Sequence, residues 1–123
     1  MRRCIAVPRR VLIVDDNDGF RSFARQLLTA EGYQVVGDAQ DAASALGAVR
    51  KLGPDLVLVD IRLPDVDGFD VAKLLAKEPT PPIVLLISSR DAADYGPRLA
   101  GAAARGFLAK ADLSRAAIEA LCQ

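Results

Sequence analysis

Acidic residues follow directly on two short apolar runs of this chain, and these are the first residues that could do chemistry. Asp15 and Asp16 come after VLIV at residues 11–14, and Asp60 follows LVLV at residues 56–59. Such runs are typical of strands buried on both faces of a parallel sheet. A carboxylate at the carboxyl end of such a strand lies at the edge where open α/β sheets bind ligands. Taken alone, each is most simply an ordinary acidic strand end. The residues at the other strand ends must therefore decide whether these acids belong to a functional site.

A hydroxyl and an amine stand at the ends of two later runs. Ser88 follows IVLLI at residues 83–87, and Lys110 follows FLA at residues 107–109. Adjacent parallel strands lie about 5 Å apart, so the three carboxylates converge if the first and third strands are neighbours. Converging carboxylates repel one another unless a hard divalent cation lies among them. Mg²⁺ fits best, because it is held by few carboxylates and keeps water and phosphate oxygens as its other ligands.

The elements that must position these groups alternate along the chain. The predicted strands are residues 11–14, 34–39, 56–59, 83–87 and 107–109. The predicted helices cover approximately residues 18–32, 41–53, 68–77, 97–105 and 113–121. Helical spacing places three sets of side chains on inward faces: Phe20, Phe23, Ala24, Leu27 and Leu28; Phe69, Ala72, Leu75 and Ala76; Leu113, Ala117 and Leu121. This alternation predicts one α/β domain, a parallel sheet covered on both faces with right-handed crossovers.

Composition excludes several kinds of function. Sixteen basic and sixteen acidic residues cancel, so no charge field favours direct binding of DNA or RNA. The chain has no histidine, which removes Ser-His-Asp and Cys-His catalysis. Its apolar runs are too short to span a bilayer, and we expect a cytoplasmic protein whose Cys4 and Cys122 are plain thiols.

Four segments together resemble the receiver domain of bacterial two-component response regulators over residues 11–121. They are VLIVDD, LVLVDIRLPDVDG, IVLLISS and GFLAK, in that family's order and spacing. The resemblance implies a flavodoxin-like fold with five parallel strands in the order 2-1-3-4-5 and helices on both faces. It also implies that Asp60 accepts a phosphoryl group, and that Mg²⁺ is held by Asp15, Asp16, Asp60 and the backbone carbonyl of Arg62.

The same resemblance gives roles to the remaining strand ends. Ser88 and Lys110 are expected to bind the phosphoryl oxygens, and Phe107 is expected to fill the space that Ser88 leaves when it moves inward. Phe107 lacks a hydroxyl, so burial of its ring must bias this switch. Arg62 and Arg90 flank the site, and we expect them to shield the acyl phosphate. The family usually has a proline joined by a cis bond after the lysine; Ala111 stands here, and we expect a trans bond.

The predicted function is therefore that of a phosphoacceptor and not of an enzyme that turns over small substrates. We expect a basic leader at residues 1–9 and a stand-alone receiver at residues 10–123. The donor would be a sensor histidine kinase or a histidine phosphotransfer protein, and another protein would read the output. One alternative is a receiver-like module that binds partners without phosphorylation. Another is a Mg²⁺-dependent phosphohydrolase, which would need an acid-base carboxylate where Arg62 stands.

Two smaller features have alternative readings. Asp65, Asp67 and Asp70 around Gly68 suggest a calcium loop, but leucines stand at the first and last ligand positions, so a turn and helix cap are the simpler interpretation. Phe20 and Phe23 could dock a partner, although packing of the first helix against the core is the simpler role.

Overall fold

The computed structural model describes residues 10–122, so the predicted leader at residues 1–9, with Cys4, lies outside the described residues. The strands are β1 Arg10–Val14, β2 Gln34–Ala39, β3 Leu56–Asp60, β4 Ile83–Ser88 and β5 Gly106–Ala109. The helices are α1 Asp18–Ala30, α2 Ala42–Leu52, α3 Gly68–Ala76, α4 Pro97–Ala100 and α5 Arg115–Cys122, with single 3₁₀ turns at Ala92–Asp94 and Lys110–Asp112. No helix within the described part of the chain has both the length and the hydropathy needed to span a bilayer.

The five strands form one parallel sheet in the order β2-β1-β3-β4-β5, which confirms the predicted topology. Successive side chains of each strand point to opposite faces. One face packs against α2, α3 and the residues around α4, and the other against α1 and α5. All five residues of β3 are buried, because this central strand has neighbours on both sides and helices on both faces.

The helices begin and end at residues whose side chains suit those positions. Asn17 caps α1 by accepting a hydrogen bond from the backbone N–H of Phe20 at 2.8 Å, and Asp41 caps α2 by accepting from Ser44 at 2.8 Å. Gly32, just after α1, has a φ of 99°, a conformation that residues with a Cβ rarely adopt. The predicted starts of the first two helices and the predicted end of the first are therefore confirmed.

The fourth helix is much shorter than predicted. It ends at Ala100, whereas the sequence pattern predicted an end near Arg105. Gly101 has low helix propensity, and the Arg105 backbone N–H donates to the Val84 carbonyl at 2.8 Å. Pairing with the sheet therefore begins where the prediction still had a helix.

Three other details of the packing were predicted wrongly. Phe23 is 55% exposed, because the buried stripe of α1 is centred on Ala24 and Leu28 and leaves Phe23 at its edge. Ala76 is exposed at the end of α3, and Val71 in the first half of that helix is buried instead. The last helix begins at Arg115, so Leu113 is buried from the segment before the helix.

Candidate functional site

Three carboxylates meet at the carboxyl edge of the sheet. β1 pairs with β3 so that Val14 lies opposite Val59, and this register places the next residues, Asp15 and Asp60, side by side. Carboxylate oxygens of Asp15, Asp16 and Asp60 all lie within 4.8 Å of one another. Asp15 is fully buried and Asp60 is 6% exposed, whereas Asp16 is open to solvent. The structure thus brings together the three acids that the sequence pattern selected.

Lys110 reaches this cluster from the end of β5. Its Nζ lies 2.5 Å from Asp15 Oδ2 and 3.4 Å from Asp60 Oδ2, and 4.4 Å from the centroid of the Phe20 ring. The Lys110–Ala111 bond is trans, as expected, since the described part of the chain contains no cis peptide bond. One ammonium faces three carboxylates, so the cluster carries excess negative charge when all of them are ionised.

The environment of Asp60 disfavours its charged form. Burial raises the pKa of the Asp60 carboxyl above its usual value, and the neighbouring Asp15 carboxylate raises it further. The Arg62 backbone N–H, which donates to Asp60 Oδ1 at 3.1 Å, and the Lys110 ammonium both lower that pKa without cancelling the rise. An additional positive charge at the cluster would therefore stabilise ionised Asp60.

The donor atoms of the cluster suit a hard divalent cation. Asp15 Oδ2 is buried and has no hydrogen-bond partner in the described structure; the nearby Lys110 ammonium forms an ion pair with it but lacks hydrogen-bond geometry. Asp15, Asp16 and Asp60 each offer an oxygen to a common centre. Mg²⁺ is bound in proteins through a few carboxylate oxygens, with water among its other ligands. The residues present therefore fit the predicted metal.

The loop after β3 folds closely against the end of the strand. The Gly68 backbone N–H donates to the Ile61 carbonyl at 2.7 Å. A Cβ at Gly68 would lie 2.5 Å from the Asp60 carbonyl oxygen and 2.8 Å from Ile61 Cα. Only glycine allows this approach without movement of the backbone, so Gly68 holds α3 against the residue that carries the central carboxylate.

The aspartates around Gly68 cap helices. Asp67 caps α3 by accepting from the Asp70 backbone N–H at 3.0 Å. Asp65 accepts at 3.0 Å from the Ala42 N–H and at 3.2 Å from the Ala43 N–H, at the start of α2. These hydrogen bonds hold the pKa of the Asp65 carboxyl below its usual value, the bond from Ala42 contributing most. These hydrogen bonds confirm the interpretation of Asp65 and Asp67 as helix caps. The contact of Asp65 with α2 was not predicted.

Ser88 ends β4 and is 1% exposed. Its Oγ accepts from the Arg90 backbone N–H at 3.0 Å and lies 2.6 Å from the hydroxyl of Tyr95. Sequence reasoning missed Tyr95, which stands alone among small and acidic residues in AADYG. Its one sequence signal is that it is an aromatic residue in a segment otherwise poor in large apolar side chains.

Phe107 lies on the same face of the sheet as Ser88. It pairs in register with Leu86, two residues before Ser88, and its ring is half-buried. The centroid of the Phe107 ring is 6.0 Å from that of Tyr95, which is in turn 6.0 Å from that of Phe69. The predicted switch residue is therefore part of a row of three aromatic rings.

The two predicted flanking residues line a cleft at the surface. Arg62 and Arg90 are exposed and line a cleft that also contains Tyr95 and Arg98. The Arg98 guanidinium is already paired within this cleft, where it forms an ion pair with Asp67 at 2.7 Å. Arg62 and Arg90 are therefore placed to reach a charged group in the cleft.

Comparisons with known proteins find a family model and curated relatives that match most of this chain. The family model described as the response regulator receiver domain matches residues 11–121. The transcriptional regulatory protein PdtaR of Mycobacterium tuberculosis is 39% identical over 107 residues, which are 85% of this chain and 51% of PdtaR. The chain thus spans about half the length of such curated relatives.

Solved structures give the same result. A two-component response regulator of the LuxR family from Aurantimonas is 28% identical, with a TM-score of 0.81 over 94% of this chain and 85% of the other. A CheY-like receiver domain from Methylobacillus flagellatus is 26% identical, with a TM-score of 0.77 over 93% of this chain and 95% of the other. Both similarities extend over nearly the whole described fold.

Proposed function

From the premise that this chain belongs to the family of response regulator receiver domains, we propose that Asp60 accepts a phosphoryl group from a phosphohistidine of another protein. The observation that carries this proposal is the meeting of three carboxylates, the Lys110 ammonium and the buried Ser88 hydroxyl at one edge of the sheet. The donor histidine lies outside these 123 residues, because they contain none.

The transfer replaces one bond to phosphorus by another. A carboxylate oxygen of Asp60 forms a P–O bond while the P–N bond to the donor imidazole breaks, and the imidazole nitrogen keeps the electron pair and takes a proton from solvent. The product is an acyl phosphate on Asp60. Such transfers depend mainly on positioning and on neutralisation of charge.

The residues around Asp60 supply that neutralisation. Asp15, Asp16, Asp60 and the Arg62 backbone carbonyl would hold Mg²⁺, which when bound neutralises charge on the transferring group. Lys110, already 3.4 Å from Asp60 Oδ2, supplies a second positive charge. Ser88 donates a hydrogen bond to a phosphoryl oxygen once its hydroxyl turns toward Asp60.

The partners follow from this chemistry. The donor is a sensor histidine kinase or a histidine phosphotransfer protein, and the output is read by another protein at the surface around α4, β5 and α5. PdtaR is named as a transcriptional regulatory protein, and this chain matches about half of it. The receiver fold itself has balanced charge, and we propose no direct contact of this fold with nucleic acid.

The decisive experiment is intact-mass measurement after incubation with Mg²⁺ and acetyl phosphate. We expect wild type to gain one phosphoryl group, Asp60→Asn to gain none, and Asp70→Asn, a matched change at an exposed aspartate, to behave as wild type. Continuous release of phosphate from many small phosphate esters would favour the phosphohydrolase alternative. An unmodified wild type would favour the phosphorylation-independent binding module.

A further inference from the structure

Tyr95 connects the candidate site to the segment that leads into α4. It follows the 3₁₀ turn Ala92–Asp94 and is half-buried, with its ring between those of Phe69 and Phe107 at 6.0 Å from each. Its hydroxyl lies 2.6 Å from Ser88 Oγ. The two aromatic neighbours fix where the Tyr95 hydroxyl can lie, so this hydrogen bond also fixes the Ser88 side chain.

The Ser88 hydroxyl is held by two hydrogen bonds in the resting state. A serine hydroxyl has one hydrogen and two lone pairs. The Arg90 N–H uses one lone pair, and Tyr95 uses either the hydrogen or the second lone pair. Both contacts lead into the segment after β4 and neither leads to Asp60. A movement of the Ser88 oxygen by about 1 Å is enough to break a hydrogen bond to a fixed partner.

We propose that Tyr95 is a positioning residue that holds Ser88 in its resting orientation and releases it when Ser88 donates to a phosphoryl oxygen on Asp60. This inference rests on the proposed function. The hydrogen bond between Tyr95 and Ser88 exists in the resting state alone. It therefore favours the resting state over the phosphorylated state by its own free energy. Its loss leaves the Tyr95 hydroxyl without this partner, in the segment that leads into α4.

The test compares the affinity of Tyr95→Phe and wild type for beryllofluoride in the presence of Mg²⁺, since beryllofluoride mimics a phosphoryl group on a carboxylate. Removing a resting-state hydrogen bond favours the modified state, and we expect Tyr95→Phe to bind beryllofluoride about threefold to tenfold more tightly. Tyr33→Phe is the matched control: Tyr33 packs in the cluster on the other face of the sheet, and we expect unchanged affinity. Equal or weaker binding by Tyr95→Phe overturns the inference.

A second pair of variants shows whether the effect passes through Ser88. In a Ser88→Ala background the partner of the Tyr95 hydroxyl is absent, so adding Tyr95→Phe should leave beryllofluoride affinity unchanged. If Tyr95→Phe tightens binding equally in that background, the tyrosine acts by another route and the inference is wrong.

Fluorescence gives a readout that needs no change at Tyr95. The chain has two tyrosines and no tryptophan, so Tyr33→Phe leaves Tyr95 as the sole intrinsic fluorophore. We expect its emission to change when beryllofluoride saturates the site, and an unchanged emission contradicts release of the hydroxyl. Intact-mass phosphorylation of wild type separates the two hypotheses. If Asp60 is modified but either Tyr95 test fails, only this inference is wrong. If Asp60 is never modified, the proposed function fails and this inference with it.

Discussion

At the scale of single residues, the proposed phosphoacceptor Asp60 is a nearly buried acid beside a second buried acid. Its carboxyl is nearly buried beside Asp15, and burial raises its pKa, so the free site disfavours the charge that a nucleophile needs. A bound cation reverses that preference. If Asp60 is the phosphoacceptor that we propose, a bound cation at the cluster favours the ionised carboxylate that the transfer needs.

Arg62 and Arg90 lie where they can affect the lifetime of an acyl phosphate. Both are exposed, and their backbone N–H groups donate to Asp60 Oδ1 and Ser88 Oγ, respectively. If their side chains exclude water from the phosphoryl group, Arg62→Ala and Arg90→Ala will each hydrolyse it faster. A loss of about 1 kcal/mol in the barrier corresponds to about fivefold.

The measurement is the decay of phosphorylated protein by intact mass after the phosphodonor is removed. Arg50→Ala is a suitable control, because Arg50 lies on α2 and pairs with Glu78 at 3.1 Å. Identical decay rates in all four proteins would show that the two arginines have no shielding role.

At the scale of elements, the entry to α3 depends on Gly68. A Cβ there would meet the Asp60 carbonyl oxygen at 2.5 Å, so Gly68→Ala must displace the strand end or the helix. We expect a loss of about 2 to 4 kcal/mol in unfolding free energy.

Gly47→Ala is the matched control, since nothing lies within 4 Å of its Cβ position in α2. That change should stabilise by about 0.5 to 1 kcal/mol in urea denaturation. Equal effects of the two substitutions would contradict this account of the close approach.

The cap that Asp65 gives to α2 joins two elements that are distant in the chain. Its pKa is lowered in the folded protein, chiefly by the Ala42 N–H, so its stabilising contribution is present above the unfolded pKa and is lost as pH falls through the folded value. We expect Asp65→Ala to lower unfolding free energy at neutral pH and to differ progressively less from wild type below a pH of about 4.

Urea denaturation at a series of pH values measures this difference. Asp112→Ala, a change at another exposed aspartate, should follow wild type throughout. A constant deficit for Asp65→Ala down to strongly acidic pH would mean that the carboxylate charge is not what stabilises the start of α2.

At the scale of the whole molecule, sequence patterns predicted the strands of the sheet better than the helices that pack against it. The ends of β1, β3 and β4 agree with the apolar runs to within one residue, because a buried strand requires an unbroken apolar stretch. The extent of α4 depended on sheet pairing by Arg105, which no local pattern indicates. The contacts of Tyr95 with Ser88 and of Asp65 with α2 escaped prediction for the same reason, since each joins residues that are separate in the chain.

Metal binding should stabilise the entire fold. A ligand that binds the native state alone adds about 2.7 kcal/mol to unfolding free energy at one hundred times its dissociation constant. We therefore expect the urea midpoint of wild type to rise with Mg²⁺, and that of Asp15→Asn to respond far less, with Asp112→Asn as the matched control. Equal responses of all three proteins would place Mg²⁺ outside the acidic cluster.

The central claim is that Asp60 itself carries the phosphoryl group, and chemical trapping of the acyl phosphate tests it most directly. Borohydride converts an aspartyl phosphate to homoserine, which peptide mass spectrometry can assign to a single position. After incubation with Mg²⁺ and a phosphodonor, we predict homoserine at position 60. Homoserine at another aspartate, or none at all in protein that has received phosphodonor and metal, would contradict the account.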